Sequence, residues 1–207
     1  MLKILGRASS INVRKVLWAC DELNIAFERE EWGEGFQSPQ AAAFKKLNPN
    51  AMIPVIREDD FVLWESNTII RYLANAHQGN WLYPFNPRER ARVDQWIDWQ
   101  ATELNTAWRY AFMSLVRHSP AHQDPRLLAA ACKGWSYTMS ILNRQLESTG
   151  AYVAGSAFSL ADIPIGLSVN RWYETPLEHA DLPAVRAYYE RLTLRKGYAA
   201  WGRNGTP

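Results

Sequence analysis

Residues 1–80 combine short strand-like runs with helical periodicity. Residues 3–5 predict one strand and residues 25–31 predict another. Between them, apolar side chains recur at helical spacing, at Val13, Val16, Leu17, Cys20 and Leu23. The charged side chains of this segment fall mostly on the opposite face of the predicted helix: Arg14, Lys15, Asp21 and Glu22. A strand, a helix and a strand in this order predict a βαβ unit with parallel strands.

A hairpin and a helix are predicted after the βαβ unit. Residues 41–47 predict a short helix. The apolar runs 53–56 and 61–64 flank a charged turn, which is typical of a β-hairpin. A further helix is expected from Ser66, with apolar residues at Ile69, Ile70 and Leu73. This order of elements predicts a thioredoxin-like layer.

Strand signals end at a linker, residues 81–87, which holds Pro84, Asn86 and Pro87 and shows no period. Beyond it, helical periodicity predicts one long helix stopped at Ser119-Pro120, a second ending near Gly150, a third beginning at 158–163 and a fourth over about 183–194. We therefore expect an α/β thioredoxin-like N-terminal domain (1–80) followed by an all-α C-terminal helical domain (88–207).

The segment 158–163 has the pattern of a helix start. Ser159 is expected to accept a hydrogen bond from the Asp162 amide, and the Asp162 side chain to bond back, as in a capping box. Phe158 and Ile163 stand where a hydrophobic staple would form.

Composition excludes several classes of function. The formal charge is +2 over 207 residues, with scattered basic residues, which argues against nucleic acid as a partner. No apolar run is long enough to span a membrane. The two cysteines, Cys20 and Cys132, lack the spacing of a disulfide scaffold, a zinc site or a dithiol centre. With no export signal, a cytoplasmic location is expected.

Ser10 lies between the first strand and the first helix, with Asn12 two residues later. Both residue types favour helix caps, which is one interpretation. A helix N-terminus also stabilises an anion such as a thiolate, to which a serine hydroxyl can donate. Lowering a thiol pKa by about two units from ~8.5 requires roughly 2.7 kcal/mol. One charge-assisted hydrogen bond (~1.5–3 kcal/mol) and a dipole contribution (~0.3–1 kcal/mol) supply about that amount.

Two further pairs of residues suit a peptide ligand. Pro54 interrupts a clean strand pattern, which predicts an edge strand with or without a cis peptide. It either protects that edge or leaves the Ile53 backbone available for β-augmentation by an extended peptide. Glu65 and Ser66 either cap the next helix or bind the ammonium and carboxylate of an α-amino acid. A thiol, an extended middle and an amino-acid end together describe glutathione.

Over nearly its whole length, the chain resembles the cytosolic glutathione S-transferases, and most of all the bacterial and theta-like members with a serine after the first strand. The segments that carry the resemblance are 10–16, 48–55, 64–73 and 158–163. The resemblance implies that Ser10 hydrogen-bonds the glutathione sulfur, with Asn12 assisting. It also implies that Ile53, beside a cis Pro54, pairs with the cysteinyl backbone of glutathione. Glu65 and Ser66 are implied to hold the γ-glutamyl end.

One position departs from the family pattern. Met52 stands where the family often has a basic or polar residue, and it cannot pair with the glycyl carboxylate. That contact is expected from residues 36–40 or from Lys46, or is lost. The second substrate is expected against the first long helix of the helical domain, at Trp108 and Phe112, unless these are ordinary core residues.

The resemblance implies an enzyme that conjugates the thiolate of glutathione, its co-substrate, to small electrophiles in detoxification. It implies a homodimer in contact through the helix from residue 88, and no metal. Disulfide or peroxide reduction, dehalogenation and isomerisation on the same fold remain open alternatives, as does a non-catalytic interaction module. A dithiol thioltransferase is disfavoured because Cys20 falls on the buried stripe of its helix without a partner.

Overall fold

The computed structural model describes residues 1–207 and divides them into two units, Met1–Pro84 and Phe85–Pro207. The boundary falls where the helical pattern replaces the mixed pattern of the first 80 residues. No helix in either unit has both the length and the apolar character needed to cross a membrane.

The first unit is built on a four-stranded mixed sheet. Its elements are, in chain order, β1 (Leu2–Leu5), α1 (Ile11–Leu23), β2 (Phe27–Glu30), α2 (Ala42–Lys45), β3 (Val55–Glu58), β4 (Phe61–Trp64) and α3 (Ser66–Ala76). The strand order is β2-β1-β3-β4. β1 runs parallel to β2, while β3 is antiparallel to both β1 and β4. The predicted βαβ unit, hairpin and thioredoxin-like layer are thereby confirmed.

Helices α1 and α3 pack against each other, and α1 is buried on nearly every side. The prediction that Arg14 and Lys15 lie on a solvent face of α1 is wrong, because both side chains are buried. Lys15 Nζ instead donates a hydrogen bond of 3.1 Å to Oδ1 of Asn67, on α3. A buried ammonium of this kind is tolerated because an acceptor compensates for its lost hydration.

Pro54 does not lie in an edge strand, which corrects that expectation. β3 is an interior strand of the sheet, and its first residue is Val55, which pairs with Leu5 of β1 and with Trp64 of β4. Since Pro54 precedes the ladder, its missing N–H removes no strand hydrogen bond. The cis Ile53-Pro54 peptide, which the residue pattern left open and the family resemblance implied, is present.

The second unit is entirely helical apart from its turns. It contains α4 (Pro87–Trp99), α5 (Asn105–Leu115), α6 (Pro125–Thr149), α7 (Asp162–Glu174), α8 (Pro183–Leu192) and α9 (Lys196–Trp201). A π-helical segment, Gln100–Leu104, joins α4 to α5, so the single long helix predicted there is interrupted. The sequence pattern did not predict α9, because six residues are too few to show a helical period.

Helix α7 begins with a buried network around Asp162 and is buried from Asp162 to Trp172. The Asp162 carboxylate accepts hydrogen bonds from the Val153 amide, from the amide and hydroxyl of Ser159, and from the Tyr188 hydroxyl, at 2.8–3.0 Å. The predicted back-bond from Asp162 to Ser159 is present. The other half of the predicted box is wrong, because the Asp162 amide donates to the backbone oxygen of Ser159 and not to its hydroxyl.

Candidate functional site

The turn between β1 and α1 places Ser10 at the N-terminus of a 13-residue helix. Ser10 is the N-cap in backbone terms, with φ −81° and ψ 124°, but its side chain makes no capping hydrogen bond. The interpretation of Ser10 as a side-chain cap is therefore wrong. A half-buried hydroxyl remains beside the amides of the first helical turn, which have no partner within the helix. Its neighbour Ser9 is exposed.

Two glycines next to this turn, Gly6 and Gly33, pack closely against neighbouring side chains. Gly6 follows β1 with φ 155°, and a Cβ at this position would lie 2.5 Å from Cγ2 of Val13 and 3.3 Å from Cβ of Ile53. A side chain at Gly33 would meet Cδ1 of Ile53 at 3.1 Å. Ile53 is thus packed against the end of β1 and the start of α1, which brings it to the same edge of the sheet as Ser10.

The loop that presents Ile53 is organised by one buried side chain, Asn48. Its Nδ2 donates to the Met52 carbonyl at 2.8 Å, and its Oδ1 accepts from the Asn50 amide at 3.0 Å and from the Asn50 side chain at 3.1 Å. Within the loop, Ala51 has a left-handed φ of 53°. This conformation disfavours a residue with a Cβ, so these side-chain bonds hold the loop in a shape it would not adopt unaided.

Replacing Asn48 by Ala is expected to lower the free energy of unfolding by about 2 kcal/mol, because several bonds of a buried side chain are lost. Amide hydrogen exchange at Met52 and Ile53 should become faster at the same time, since the loop loses its anchor. Urea denaturation and native-state exchange measure the two effects. Asn50→Ala removes only one side-chain bond, from an exposed residue, and serves as the control. Equal effects of the two substitutions would contradict the role given to Asn48.

Helix α3 begins beside α1 with Glu65 and Ser66. Glu65 is exposed and adopts φ 72° and ψ 106°, an unusual conformation for a residue other than glycine, and its side chain makes no capping bond. Such strain is concentrated at ligand sites. Ser66 is buried, and its hydroxyl donates to Oδ1 of Asn12 at 3.4 Å. Together with the bond from Lys15 to Asn67, this contact ties the first turns of α1 and α3 together.

Two helix N-termini therefore meet at one edge of the first unit. Each carries a partial positive charge and unpaired amides, so the edge favours anionic groups at two points. The exposed Glu65 carboxylate stands beside the second of these points and suits a cation. The structure brings Ser10, Asn12, Glu65 and Ser66 onto these two helix starts, with Ile53 and the cis Pro54 on the adjoining loop.

The Met52 side chain has no cationic or hydrogen-bond donor group that could bind an anion at this edge. Its side chain is 62% exposed and its carbonyl is engaged by Asn48. Lys46 is exposed just after α2, and the proposed substitutes at residues 36–40 are largely exposed. Arg7, which the sequence interpretation missed, packs its stem against Gly33 and pairs with Glu34 at 2.9 Å. No spacing in the sequence signalled that Arg7 would lie in this turn.

Neither cysteine is placed for thiol chemistry at the helix starts. Cys20 is fully buried in α1, and burial raises the pKa of its thiol to about 12. Burial also raises the pKa of Cys132, which lies on α6 in the second unit. A nucleophilic sulfur at the edge formed by α1 and α3 must therefore come from a bound ligand.

In the second unit, the rings of Trp108 and Phe112 pack against the guanidinium of Arg171. Their ring centroids are 5.4 Å apart with the planes at 75°. The guanidinium of Arg171 lies 4.3 Å from the Trp108 ring centroid and 4.0 Å from that of Phe112. Trp108 is half-buried, whereas Phe112 is 4% exposed. Of the two predicted substrate residues, Trp108 alone offers appreciable surface to a ligand.

Comparison with known proteins agrees with this fold. Residues 9–76, which hold all six residues of the predicted glutathione site, match the family model described as "Glutathione S-transferase, N-terminal domain". A thioredoxin-like domain with a mixed four-stranded sheet, followed by a predominantly helical region, is the fold that this chain shares with glutathione S-transferases. The chain is 33% identical to the glutathione S-transferase GstB of Escherichia coli, over 94% of each chain. The chain therefore belongs to the glutathione S-transferase family.

The solved structures extend the likeness to three dimensions. The theta class glutathione S-transferase from Xanthomonas axonopodis pv. citri, determined with glutathione bound, has a TM-score of 0.87 and 36% identity, covering 97% of this chain and 96% of that one. A delta-class glutathione transferase from Nilaparvata lugens superposes with a TM-score of 0.89 at 22% identity, covering 100% of this chain and 95% of that one, which shows the shared fold.

Proposed function

We propose that this protein is a glutathione transferase that activates the thiol of bound glutathione at Ser10 and transfers it to a small electrophile. The observation that carries the proposal is the Ser10 hydroxyl, which sits at a helix N-terminus without capping that helix. Family membership supports the same activity. Asn12 is proposed to assist Ser10, because it stands in the first turn of α1 and is joined to α3 through Ser66.

The rest of the ligand is proposed to follow the edge of the sheet. The backbone of Ile53, a half-buried residue beside the cis Pro54, would exchange hydrogen bonds with the cysteinyl residue in the manner of an added strand. Ser66 at the start of α3 would bind the γ-glutamyl carboxylate, and Glu65 its ammonium group. The first unit is thus assigned to glutathione, and the helical unit to the second substrate.

The chemistry proposed for this site is nucleophilic transfer. The helix N-terminus and the Ser10 hydroxyl favour the thiolate over the thiol, which raises the fraction of glutathione that is reactive at neutral pH. Binding both reactants to the same protein raises their effective concentration relative to each other. The thiolate forms a carbon–sulfur bond as the leaving group departs with its electron pair.

Glutathione binding provides the direct test. Isothermal titration should detect glutathione, and Glu65→Gln should weaken its binding about tenfold or more by removing the charged partner of the γ-glutamyl ammonium. The dipeptide Cys-Gly lacks that ammonium, so its binding should be the same in both proteins. Absence of glutathione binding at millimolar concentrations, or equal losses for the two ligands, would contradict the proposed site.

A substrate panel separates transfer from its alternatives. We expect turnover of 1-chloro-2,4-dinitrobenzene, and the panel should include a mixed disulfide and a hydroperoxide. The buried Cys20 argues that a reduction, if found, would use glutathione alone and no protein thiol. We further propose a homodimer active in detoxification in the cytoplasm, a location that suits two free cysteines. Sedimentation equilibrium measures the oligomeric state.

A further inference from the structure

Arg7 lies in the turn between β1 and α1, three residues before Ser10. Its amide donates to the Trp32 carbonyl at 3.0 Å, and its own carbonyl accepts from the Ser10 amide at 3.1 Å. The backbone of Arg7 therefore joins the residue proposed to activate the thiol to the segment that follows β2.

That segment forms a tight loop, residues 32–37, which we call the Gly33 loop. The Gly33 amide donates to the Gln37 carbonyl at 2.8 Å, and the Phe36 amide donates to the Gly33 carbonyl at 2.9 Å. Gly33 is buried with φ 118°, whereas residues 34–37 are exposed. The loop therefore contacts the rest of the first unit through Gly33, at a conformation that favours a residue without a Cβ.

Arg7 and Ile53 pack over the same face of Gly33. A Cβ on this glycine would lie 3.3 Å from Cδ of Arg7 and 3.1 Å from Cδ1 of Ile53. Displacing the arginine stem would therefore remove packing from Gly33 and Ile53 together. In the proposed complex, the Ile53 backbone holds the cysteinyl residue whose sulfur meets Ser10.

The guanidinium of Arg7 fastens the Gly33 loop at Glu34. Its Nη1 donates to the Glu34 carbonyl at 3.0 Å and pairs with the Glu34 carboxylate at 2.9 Å. The Arg7 side chain is 18% exposed and that of Glu34 is 77% exposed, so solvent screens the ion pair and little stability comes from it. The packed stem and the bond to the carbonyl are the contacts that hold the loop.

We propose that Arg7 is a positioning residue for glutathione transfer, which sets the distance from the cysteinyl sulfur to the Ser10 hydroxyl by holding the Gly33 loop against Ile53. This inference rests on the proposed transferase activity and adds to it a residue that acts through Ile53. A hydrogen bond weakens steeply as its geometry worsens, so a small shift of the bound cysteinyl residue reduces the stabilisation of its thiolate.

Arg7→Ala should lower kcat for 1-chloro-2,4-dinitrobenzene about tenfold near neutral pH and raise the pKa of the bound thiol by about one unit, since one pKa unit corresponds to tenfold less thiolate. KM for glutathione should change less than about threefold, because the proposed γ-glutamyl contacts at Glu65 and Ser66 are retained. Arg7→Lys keeps a long stem and a donor for the Glu34 carbonyl, so it should restore most of the parent pH profile. The pH dependence of kcat measures these effects.

Two controls separate positioning from charge. Glu34→Gln keeps the carbonyl and should leave the pH profile unchanged; a lowered thiol pKa in this variant would mean that Arg7 acts by its charge, and would overturn the inference. Lys3→Ala removes a cation of β1 that pairs with Glu28 and Glu30, and it should also change nothing. Should Arg7→Ala fold poorly, Arg7→Met keeps the stem but loses the bond to the carbonyl, and it should shift the profile in the same direction by less.

A measurement without glutathione separates this inference from the proposed function. The δ1 methyl of Ile53 reports its contact with Gly33, so Arg7→Ala should shift and broaden its NMR signal in the free protein, while the signal of the buried Ile70 stays in place. An unchanged Ile53 signal, or an unchanged thiol pKa in a variant that still transfers glutathione, would overturn the inference and leave the transferase activity standing. A parent protein that binds no glutathione would contradict the proposed function, and this inference with it.

Discussion

Ser10→Ala is expected to lower kcat/KM for glutathione transfer about 10- to 100-fold near neutral pH, because a charge-assisted hydrogen bond to sulfur contributes ~1.5–3 kcal/mol. The hydroxyl stabilises the thiolate more than the thiol, so its loss raises the pKa of the bound thiol. The kcat/KM of Ser10→Ala should then fall furthest below that of the parent at low pH, and it should approach the parent value as the pH rises towards the pKa of free glutathione. A pH profile of kcat/KM for 1-chloro-2,4-dinitrobenzene measures both effects.

Two controls distinguish this role from a structural one. Ser9→Ala changes the same residue type one position earlier, on an exposed side chain, and should leave the profile unchanged. Glutathione affinity should change little in Ser10→Ala when measured below pH 6, where the thiol is protonated in both proteins. A profile of Ser10→Ala that coincides with that of the parent, or the same loss in Ser9→Ala, would remove Ser10 from the mechanism.

Local patterns predicted most elements of the first unit because each one has its own periodicity. The strands around α1 and the hairpin of β3 and β4 appear in the sequence as separate apolar runs, and their order fixes the thioredoxin-like topology. Periodicity failed at Arg14 and Lys15, since it assigns charged residues to solvent and contains no information about a partner such as Asn67 on α3. Burial of a cation is decided by tertiary contacts that lie far apart in sequence.

The candidate site was predictable to the extent that it depends on helix starts. Ser10 and Ser66 each stand at the beginning of a helix, and a helix N-terminus has the same electrostatics wherever it occurs. The contributions of Asn48 and Arg7 were not predictable in this way. Asn48 acts through the shape of a loop, and Arg7 through its packing on a glycine of another loop. Both depend on packing that leaves no regular spacing in the sequence.

Asp162→Ala is expected to produce the largest loss of stability, about 3–5 kcal/mol, because four buried donors lose their acceptor at once. The Val153 amide, the Ser159 amide and hydroxyl, and the Tyr188 hydroxyl all converge on this carboxylate. Urea denaturation at pH 5, below the raised pKa of the buried carboxyl, measures the change. Asp124→Ala is the matched control, since Asp124 accepts from the amides of Arg126 and Leu127 on an exposed surface. Its removal should cost about 1 kcal/mol, the usual value for a helix cap.

The contribution of Asp162 should also depend on pH. Burial raises the pKa of its carboxyl to about 6, against an unfolded value near ~3.9, although its four hydrogen bonds act in the opposite direction. The folded state therefore holds the proton more tightly, so this group stabilises the fold most below pH ~4 and loses that contribution as the pH rises through about 6. The difference in unfolding free energy between the parent and Asp162→Asn, which cannot titrate, should accordingly shrink between pH 4 and pH 7, by up to about 3 kcal/mol. A difference that grew with pH would mean that the four donors outweigh burial and keep the carboxylate ionised.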